Sequence, residues 1–120
     1  MAQITKRKLS GSTDGRQIKV TTTATPGTLI HTAVTGVVAG TWDEIWMYVT
    51  NQHTADVTIV VELGGTTTPD DRITLTVPVA AGRFLVLDGA ILQNGTVLRV
   101  WSVTTANVIM VSGFVNQISA

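Results

Sequence analysis

The chain has 120 residues, no cysteine and a formal net charge of zero. This length matches a single domain, and the lack of cysteine excludes disulfide bonds and thiolate metal sites. The sequence shows neither a secretory signal pattern nor the roughly 18 consecutive apolar residues of a membrane-spanning helix, so we expect a soluble protein made in the cytoplasm.

Charge is distributed unevenly along the chain. Five of the eight cations lie in the first 19 residues, where Asp14 is the single acid. We therefore predict an extended basic N-terminal arm at 1–15 and a folded domain at 16–120, with the arm docked on a partner protein. A solvated tail and a phosphate-binding patch are the alternatives. Because the segment has no aromatic residue for base stacking and the remainder is acidic, we expect no direct contact with nucleic acid. The arm residues predicted to bind the partner are Lys6, Arg7, Lys8 and Arg16.

Residue choice favours strands after the basic segment, because Thr, Val and Ile dominate and the helix formers Glu and Lys are scarce. Alternation with period two, interrupted by turn residues, predicts about eight strands. They lie around Ile18 and Val20 and at 29–35, 45–49, 57–63, 73–77, 83–87, 97–103 and 108–115. Because no helical pattern intervenes, we predict an all-β fold, a single antiparallel β-sandwich that is jelly-roll-like.

The strand predicted at 45–49 is apolar on both faces. Three apolar residues alternate there with Trp46 and Tyr48, which predicts a strand that is covered on both sides. A short polar loop and the alternating run 57–63 follow. Two runs of similar length joined in this way predict an antiparallel hairpin.

Residue types that carry catalysis or bind metals are sparse. His31 and His53 match no compact zinc spacing, and we interpret them as a hydrogen-bonded strand histidine and a solvated loop histidine. Asp70 and Asp71 suit either a calcium loop or a turn in which a carboxylate accepts from backbone amides, and the turn is the simpler interpretation. No phosphate-binding loop or nucleophile elbow is found. We predict a non-enzymatic protein without metal or cofactor.

Large aromatic residues are the candidates for an interface. Burial in the core is the alternative role for each of them. Trp42, at the loop edge before its strand, is the one that we expect to be exposed and to contact a partner. The candidates are Trp42, Trp46, Tyr48 and Trp101.

A resemblance rests on the order of six segments: "TATPGTLIHTAV", "WDEIWMYVTN", "DVTIVVELGG", "PDDRITLTVP", "LVLDGAILQNGTVLRVWS" and "ANVIMVSGFVN". In this order they resemble a group of small virion structural proteins of tailed bacteriophages, of the head decoration or cement type. The resemblance covers about residues 19–118. In that group a short N-terminal arm precedes one β-sandwich.

The resemblance implies a virion protein that sits in many copies on the outer surface of the head. Homo-oligomers, with trimers favoured, would bridge neighbouring major capsid proteins, and the arm would pair with the shell. Two other functions stay open. One is a neck or tail adaptor or a fibre-associated module, and the other is a carbohydrate-binding sandwich that uses Trp42 or Trp101 as a stacking platform.

Overall fold

The computed structural model describes residues 3–35 and 40–119, and these ranges contain nine strands and no helix. No helix that could span a membrane is therefore found in them. The strands form two antiparallel sheets, which confirms the predicted all-β fold. They are β1 (Gln3–Lys8), β2 (Ile18–Lys19), β3 (Thr28–Thr32), β4 (Trp42–Asn51), β5 (Val57–Leu63), β6 (Arg72–Val77), β7 (Phe84–Leu92), β8 (Val97–Ser102) and β9 (Ile109–Ser119).

The order of the strands is that of a jelly roll with one strand added. One sheet has the order β1-β9-β4-β7, with β2 next to β1 along the same side of β9, and the other has the order β3-β8-β5-β6. From β2 to β9, every connection except that between β5 and β6 crosses from one sheet to the other. Two Greek keys wound in this way make a jelly roll, so the predicted type of sandwich is observed.

One core lies between the two sheets. Alternation along β4 turns Ile45, Met47 and Val49 inward, and Ile59 and Val61 of β5 face them from the other sheet. All five side chains are buried. Apolar residues at every second position bury one face of each strand, and this burial is the main favourable term for folding.

The predicted hairpin between the fourth and fifth strands is wrong. β4 pairs with β7 and β9, whereas β5 pairs with β6 and β8 in the other sheet. Asn51, at the end of β4, donates from its amide to the carbonyl oxygens of Ala55 and Val77, both at 3.0 Å, where the chain crosses between the sheets. Alternation specifies which face of a strand is buried, but it does not specify the neighbouring strand.

The separate N-terminal arm predicted at 1–15 is not confirmed. β1 pairs with β9 over its whole length, and Leu9 after it is only 1% exposed and belongs to the core. Gly11 then donates from its backbone to Ile30 O at 2.9 Å, which joins the edges of the two sheets. The sequence of β1, QITKRK, was not recognised as a strand because it lacks apolar alternation.

Gly113 allows β9 to lie close against β4. Its φ is +146°, and a Cβ atom at this position would lie 2.0 Å from the carbonyl oxygen of Trp46. A side chain here would push the two central strands apart. Glycine at this position therefore keeps Trp46 beside Phe114, the next residue of β9.

Candidate binding surfaces

The three cations of β1 lie on two different sides of the sheet. Each is exposed, and β1 forms a margin of the five-stranded sheet. Lys8 is opposite Phe114 and Arg7 is opposite the buried Val115. Because directly opposed residues share a face, Lys6 and Lys8 belong to the outer face of the sheet and Arg7 to its inner side. The predicted basic cluster is therefore split.

Two of the cations near the start of the chain, Arg7 and Lys8, donate hydrogen bonds from their side chains. Arg7 Nε donates to Gln117 Oε1 of the neighbouring strand. Lys8 Nζ donates to the carbonyl oxygen of Ser12 at 2.9 Å. The exposed Arg16 lies in the loop between β1 and β2, where its carbonyl oxygen accepts from Ser12 Oγ at 2.6 Å. Arg16 is thus not part of β1.

Trp42 and Trp101 are both partly buried rather than fully exposed. Trp42 begins β4 and lies opposite Ile118. The guanidinium of Arg72 lies over the ring of Trp101, 5.4 Å from its centroid. A cation over the ring competes with a sugar for that stacking face, so Trp101 is a poor platform for carbohydrate.

An aromatic row crosses the outer face of the five-stranded sheet. The rings of Trp46 and Phe114 are nearly parallel, at 8°, with centroids 6.1 Å apart. Lys6 Nζ lies 4.3 Å from the centroid of Phe114. On the other side of the row, a Cβ atom at Gly89 would lie 3.6 Å from Trp46 Cζ2. The row thus runs from β1 to β7, and the ring faces are largely covered by their neighbours. A free stacking face for a sugar is not offered by these two rings.

Glu44 holds the ring of Trp46 in place. Trp46 Nε1 donates to Glu44 Oε1 at 2.8 Å, and Asn116 Nδ2 donates to the same oxygen at 3.2 Å. These hydrogen bonds, first that of Trp46 and then that of Asn116, keep the pKa of the Glu44 carboxyl below its ordinary value because they stabilise the carboxylate. Further along the face, the guanidinium of Arg83 lies 4.2 Å from the ring centroid of Tyr48.

Exposed aliphatic residues border the aromatic row. Ile4 is 69% exposed, Ile91 58% and Leu85 45%. Their registers place them on the same outer face. Ile91 is opposite Glu44 and Leu85 is opposite Tyr48, while Ile4 is opposite Ile118, which is itself opposite Trp42. The outward residues of β4 are only half-buried. The prediction that this strand is covered on both sides is therefore wrong for the single chain.

The outer face of the four-stranded sheet differs, since a loop of the chain itself covers part of it. Glu62 of β5 is fully buried there. Its two carboxylate oxygens accept from Thr25 Oγ1 and from the backbone N–H of Gly27, the latter at 2.7 Å. Arg99 Nη1 donates to the carbonyl oxygen of Gly27 at 3.2 Å. The predicted turn around "ATPG" is thus fixed onto the sheet by a buried carboxylate.

A buried histidine and aspartate lie between the margins of the two sheets. His31 Nε2 and Asp43 Oδ2 are 2.7 Å apart, which confirms that His31 has a hydrogen-bond partner. The backbone N–H of Ser10 donates to His31 Nδ1 at 2.9 Å, so Nε2 carries the hydrogen and donates to Asp43. The backbone N–H of Val34 also donates to Asp43 Oδ2, at 2.9 Å.

This arrangement contains serine, histidine and aspartate, but it is not a nucleophilic triad. Ser10 Oγ accepts from the backbone N–H of Thr32 at 2.7 Å, while both nitrogens of His31 are engaged with other groups. The histidine is therefore not placed to accept a proton from the serine hydroxyl. A cleft of about 440 Å³ adjoins the pair, with Arg7 at its lining. The hydrogen bonds fix the loop after β1 to β3 and β4.

The aspartates considered for calcium form a turn. Asp71 Oδ2 accepts from the backbone N–H of Thr67 at 3.0 Å, which agrees with the turn interpretation of the Asp70–Asp71 pair. In the described residues, no group of three or more His, Cys, Asp or Glu side chains could hold a metal ion. The backbone N–H of His53 donates to Asn51 Oδ1 at 2.8 Å, within the loop that follows β4.

Sequence reasoning missed the role of Phe114 and the position of Lys6 beside it. The available signal was the presence of large residues on both faces of β4, together with Met110 and Phe114 at alternate positions of β9. That pattern predicts a second apolar face on β4 and β9, but it does not predict which residues of other strands lie beside that face.

Comparison with protein-family models, with curated proteins and with solved structures gives no match for this chain.

Proposed function

We propose that this chain is a non-enzymatic structural protein of a tailed-bacteriophage virion, which decorates the outer surface of the head and bridges neighbouring major capsid proteins. The resemblance of its segments to the decoration group supports this function. The jelly-roll order of its strands also supports it by analogy, because viral capsid proteins use this fold repeatedly. The observation that carries the mode of attachment is strand β1, a basic strand at the margin of a sheet.

β1 suits the addition of a strand from a capsid protein. Among the described strands it pairs with β9 alone, so the backbone groups on its other side face outward. Such an edge is a template for pairing with an extended segment of another chain. The positive charges of Lys6, Arg7 and Lys8 favour an acidic segment and exclude a basic one. In place of a flexible arm, we propose a preformed edge, which binds without the cost of ordering a tail.

Bridging follows from repetition of this contact. One added strand of six residues is a small interface, and such contacts are individually weak. An oligomer, such as the trimer that the resemblance to decoration proteins implies, presents several such edges to a regular lattice. Once one edge is bound, the effective concentration of the next reaches the millimolar range, so linked contacts hold two capsid proteins together.

Mass-spectrometric stoichiometry of purified particles tests the function directly. Lattice decoration requires a copy number on the order of hundreds, as closed symmetry repeats the site over the head. A single ring of about six or twelve copies would instead assign the protein to the neck or tail. Absence of the chain from purified particles would overturn the proposal as a whole.

A matched pair of charge reversals tests the attachment edge. Arg7→Glu changes a cation of β1, and Arg16→Glu makes the same change of charge in the loop after it. We expect Arg7→Glu to weaken binding to particles that lack this protein by roughly tenfold or more, whereas Arg16→Glu has little effect. Equal binding by both variants, measured by co-sedimentation with such particles, would refute a role for the edge.

Lectins also use the jelly roll, so a glycan screen that gave saturable tryptophan quenching would favour carbohydrate binding instead.

A further inference from the structure

We infer that the outer face of the five-stranded sheet binds the same face of a second copy of this chain, related by a two-fold axis parallel to the strands. This outer face is defined by the aromatic row of Trp46 and Phe114 and by the aliphatic residues around it. The inference concerns the free chain and does not rest on the proposed function. It differs from the trimer in the resemblance, because a two-fold contact uses one surface twice.

The two outer faces of the sandwich differ in how they meet solvent. On the four-stranded sheet, the loop that carries Gly27 folds over the surface and buries Glu62 completely. On the five-stranded sheet, the aromatic row is half-buried and its aliphatic border, Ile4, Ile91 and Leu85, is exposed. Exposed apolar residues that cluster on one face and are bordered by polar residues are typical of an interaction site. The sequence of β4, apolar on both faces, is that of a strand with two covered sides.

Charge makes the outer face complementary to itself. The registers place Lys8, Phe114, Trp46 and Asp88 in one row across the sheet, in that order. The ammonium group of Lys6 lies at the same row, over Phe114. The row is thus positive at the β1 margin and negative at the β7 margin, with two aromatic rings between.

A two-fold axis parallel to the strands reverses this row in the second copy. It brings Lys6 opposite Asp88 of the second copy, and Phe114 opposite Trp46 of the second copy, each contact occurring twice. It also brings Asn116 towards Glu44 of the second copy, since these residues are opposite each other in the next row. The row of Lys6, Phe114, Trp46 and Asp88 thus has rings at its centre and opposite charges at its margins, the pattern of an interface with an apolar centre and a polar rim. The neighbouring row contributes the polar pair of Glu44 and Asn116.

Two contacts in this arrangement are unfavourable. The axis brings the Glu44 carboxylates of the two copies near each other, although each already accepts hydrogen bonds from Trp46 and Asn116 of its own chain. The other contact joins two cations. Lys19 is opposite Met110 at one end of the face, and Arg83 precedes Phe84 at the same end of β7. The two-fold axis therefore brings Lys19 towards Arg83 of the second copy. Both cations are exposed, so their repulsion is screened and small, and Arg83 is already turned over the ring of Tyr48.

The size of the face matches a dimer contact. Strands lie about 4.8 Å apart and rise about 3.3 Å per residue, so four strands over ten residues cover roughly 600 Å². A specific interface of ordinary size buries about 800 Å² on each partner. The difference is within the extra area that side chains add to a flat projection, and aligned sheets pack face to face in this way inside sandwiches.

The molar mass in solution provides the first test. Light scattering over a range of concentration up to about 1 mM should show conversion to twice the chain mass of 12.7 kDa. Phe114→Ala should weaken association by at least tenfold, while Val79→Ala, which shortens an exposed apolar residue outside this face, should not change it. A single chain mass at all concentrations, or three times the chain mass, would overturn the two-fold contact. Association unchanged by Phe114→Ala would place it elsewhere.

Exchange of charges tests the pairing itself. In a dimer of Lys6→Glu, acids oppose acids at both margins, and in a dimer of Asp88→Lys, cations oppose cations. A mixture of the two variants forms a heterodimer with attractive pairs at both margins. Each variant alone should associate roughly tenfold or more weakly than the unchanged chain, and the equimolar mixture should regain most of the loss. If the mixture associated as weakly as each variant alone, the contact would be refuted. Melting curves of both variants provide the control, because they show separately whether either substitution impairs folding.

Discussion

Replacement of Leu9 by alanine tests whether the start of the chain is part of the folded sandwich or a loose arm outside it. Leu9 is 1% exposed and packs in the core directly after β1. The change removes three buried carbon groups, each worth about 0.8 kcal/mol, or about 2.4 kcal/mol together. The cavity left behind brings the loss of unfolding free energy to about 3 to 4 kcal/mol. For a chain of 120 residues, a loss of about 3 kcal/mol lowers the melting temperature by about 12 °C.

The assay is thermal and urea unfolding, followed by tryptophan fluorescence at one fixed protein concentration. Ile4→Ala is the matched control, because Ile4 lies in β1 itself and is 69% exposed. We expect that control to change the unfolding free energy by less than about 0.5 kcal/mol at a concentration where the chain is monomeric. If Leu9→Ala were as mild as the control, residues 1–15 would be an arm outside the folded domain, and the placement of Leu9 in the core would be refuted.

Glu62→Ala should lower the unfolding free energy by about 2 to 4 kcal/mol, because the buried N–H of Gly27 loses its acceptor. Glu62→Gln keeps an acceptor oxygen and should cost less, so equal losses in urea unfolding would contradict this role. The pKa of Glu44 is lower in the folded chain than its ordinary value of 4.5. Its stabilising contribution is therefore complete above about pH 4.5 and is lost as the pH falls through the lowered pKa. Fluorescence of Trp46 should follow that loss, and Glu44→Gln should abolish the titration; a midpoint above 4.5 would contradict the hydrogen bonds to the carboxylate.

The two outer faces show how similar strands serve different purposes. On one sheet the chain covers its own surface, and the carboxylate of Glu62 holds the covering loop. On the other sheet the chain stacks Trp46 against Phe114 and leaves the apolar border open. A sandwich needs only one buried face per sheet, so apolar residues on the second face contribute little to the core of a single chain. Their energetic gain comes when another molecule removes them from water.

Local pattern was sufficient for most of the strands and for some of the polar residues. Alternation predicted strands at 45–49 and 57–63, and both strands are observed, because a period of two is set by neighbouring residues. The hydrogen-bonded role of His31 and the turn at Asp71 were also predicted from residue type and position. β1 was missed because a margin strand with three consecutive cations buries no side chain, and so leaves no apolar period to detect.

Contacts between distant segments were beyond that reasoning. Thr25 and Glu62 are 37 residues apart in the chain, and Arg7 and Gln117 are 110 apart. The incorrect hairpin of β4 with β5 shows the same limit, because two alternating runs joined by a short loop are compatible with one sheet or with two. Which pairing is adopted depends on the burial of every other strand at once.

The sequence by itself determined that this chain is built of strands, where most of those strands lie, and that disulfides have no part in it. These features depend on residue type and on a period of two, which are local properties. Only the tertiary structure decided the jelly-roll order, the pairing of β1 with β9, the burial of Glu62 under its loop and the row that joins Lys6, Phe114 and Trp46. Those features depend on which distant segments meet, and that choice is made by the packing of the whole chain rather than by any single stretch of it.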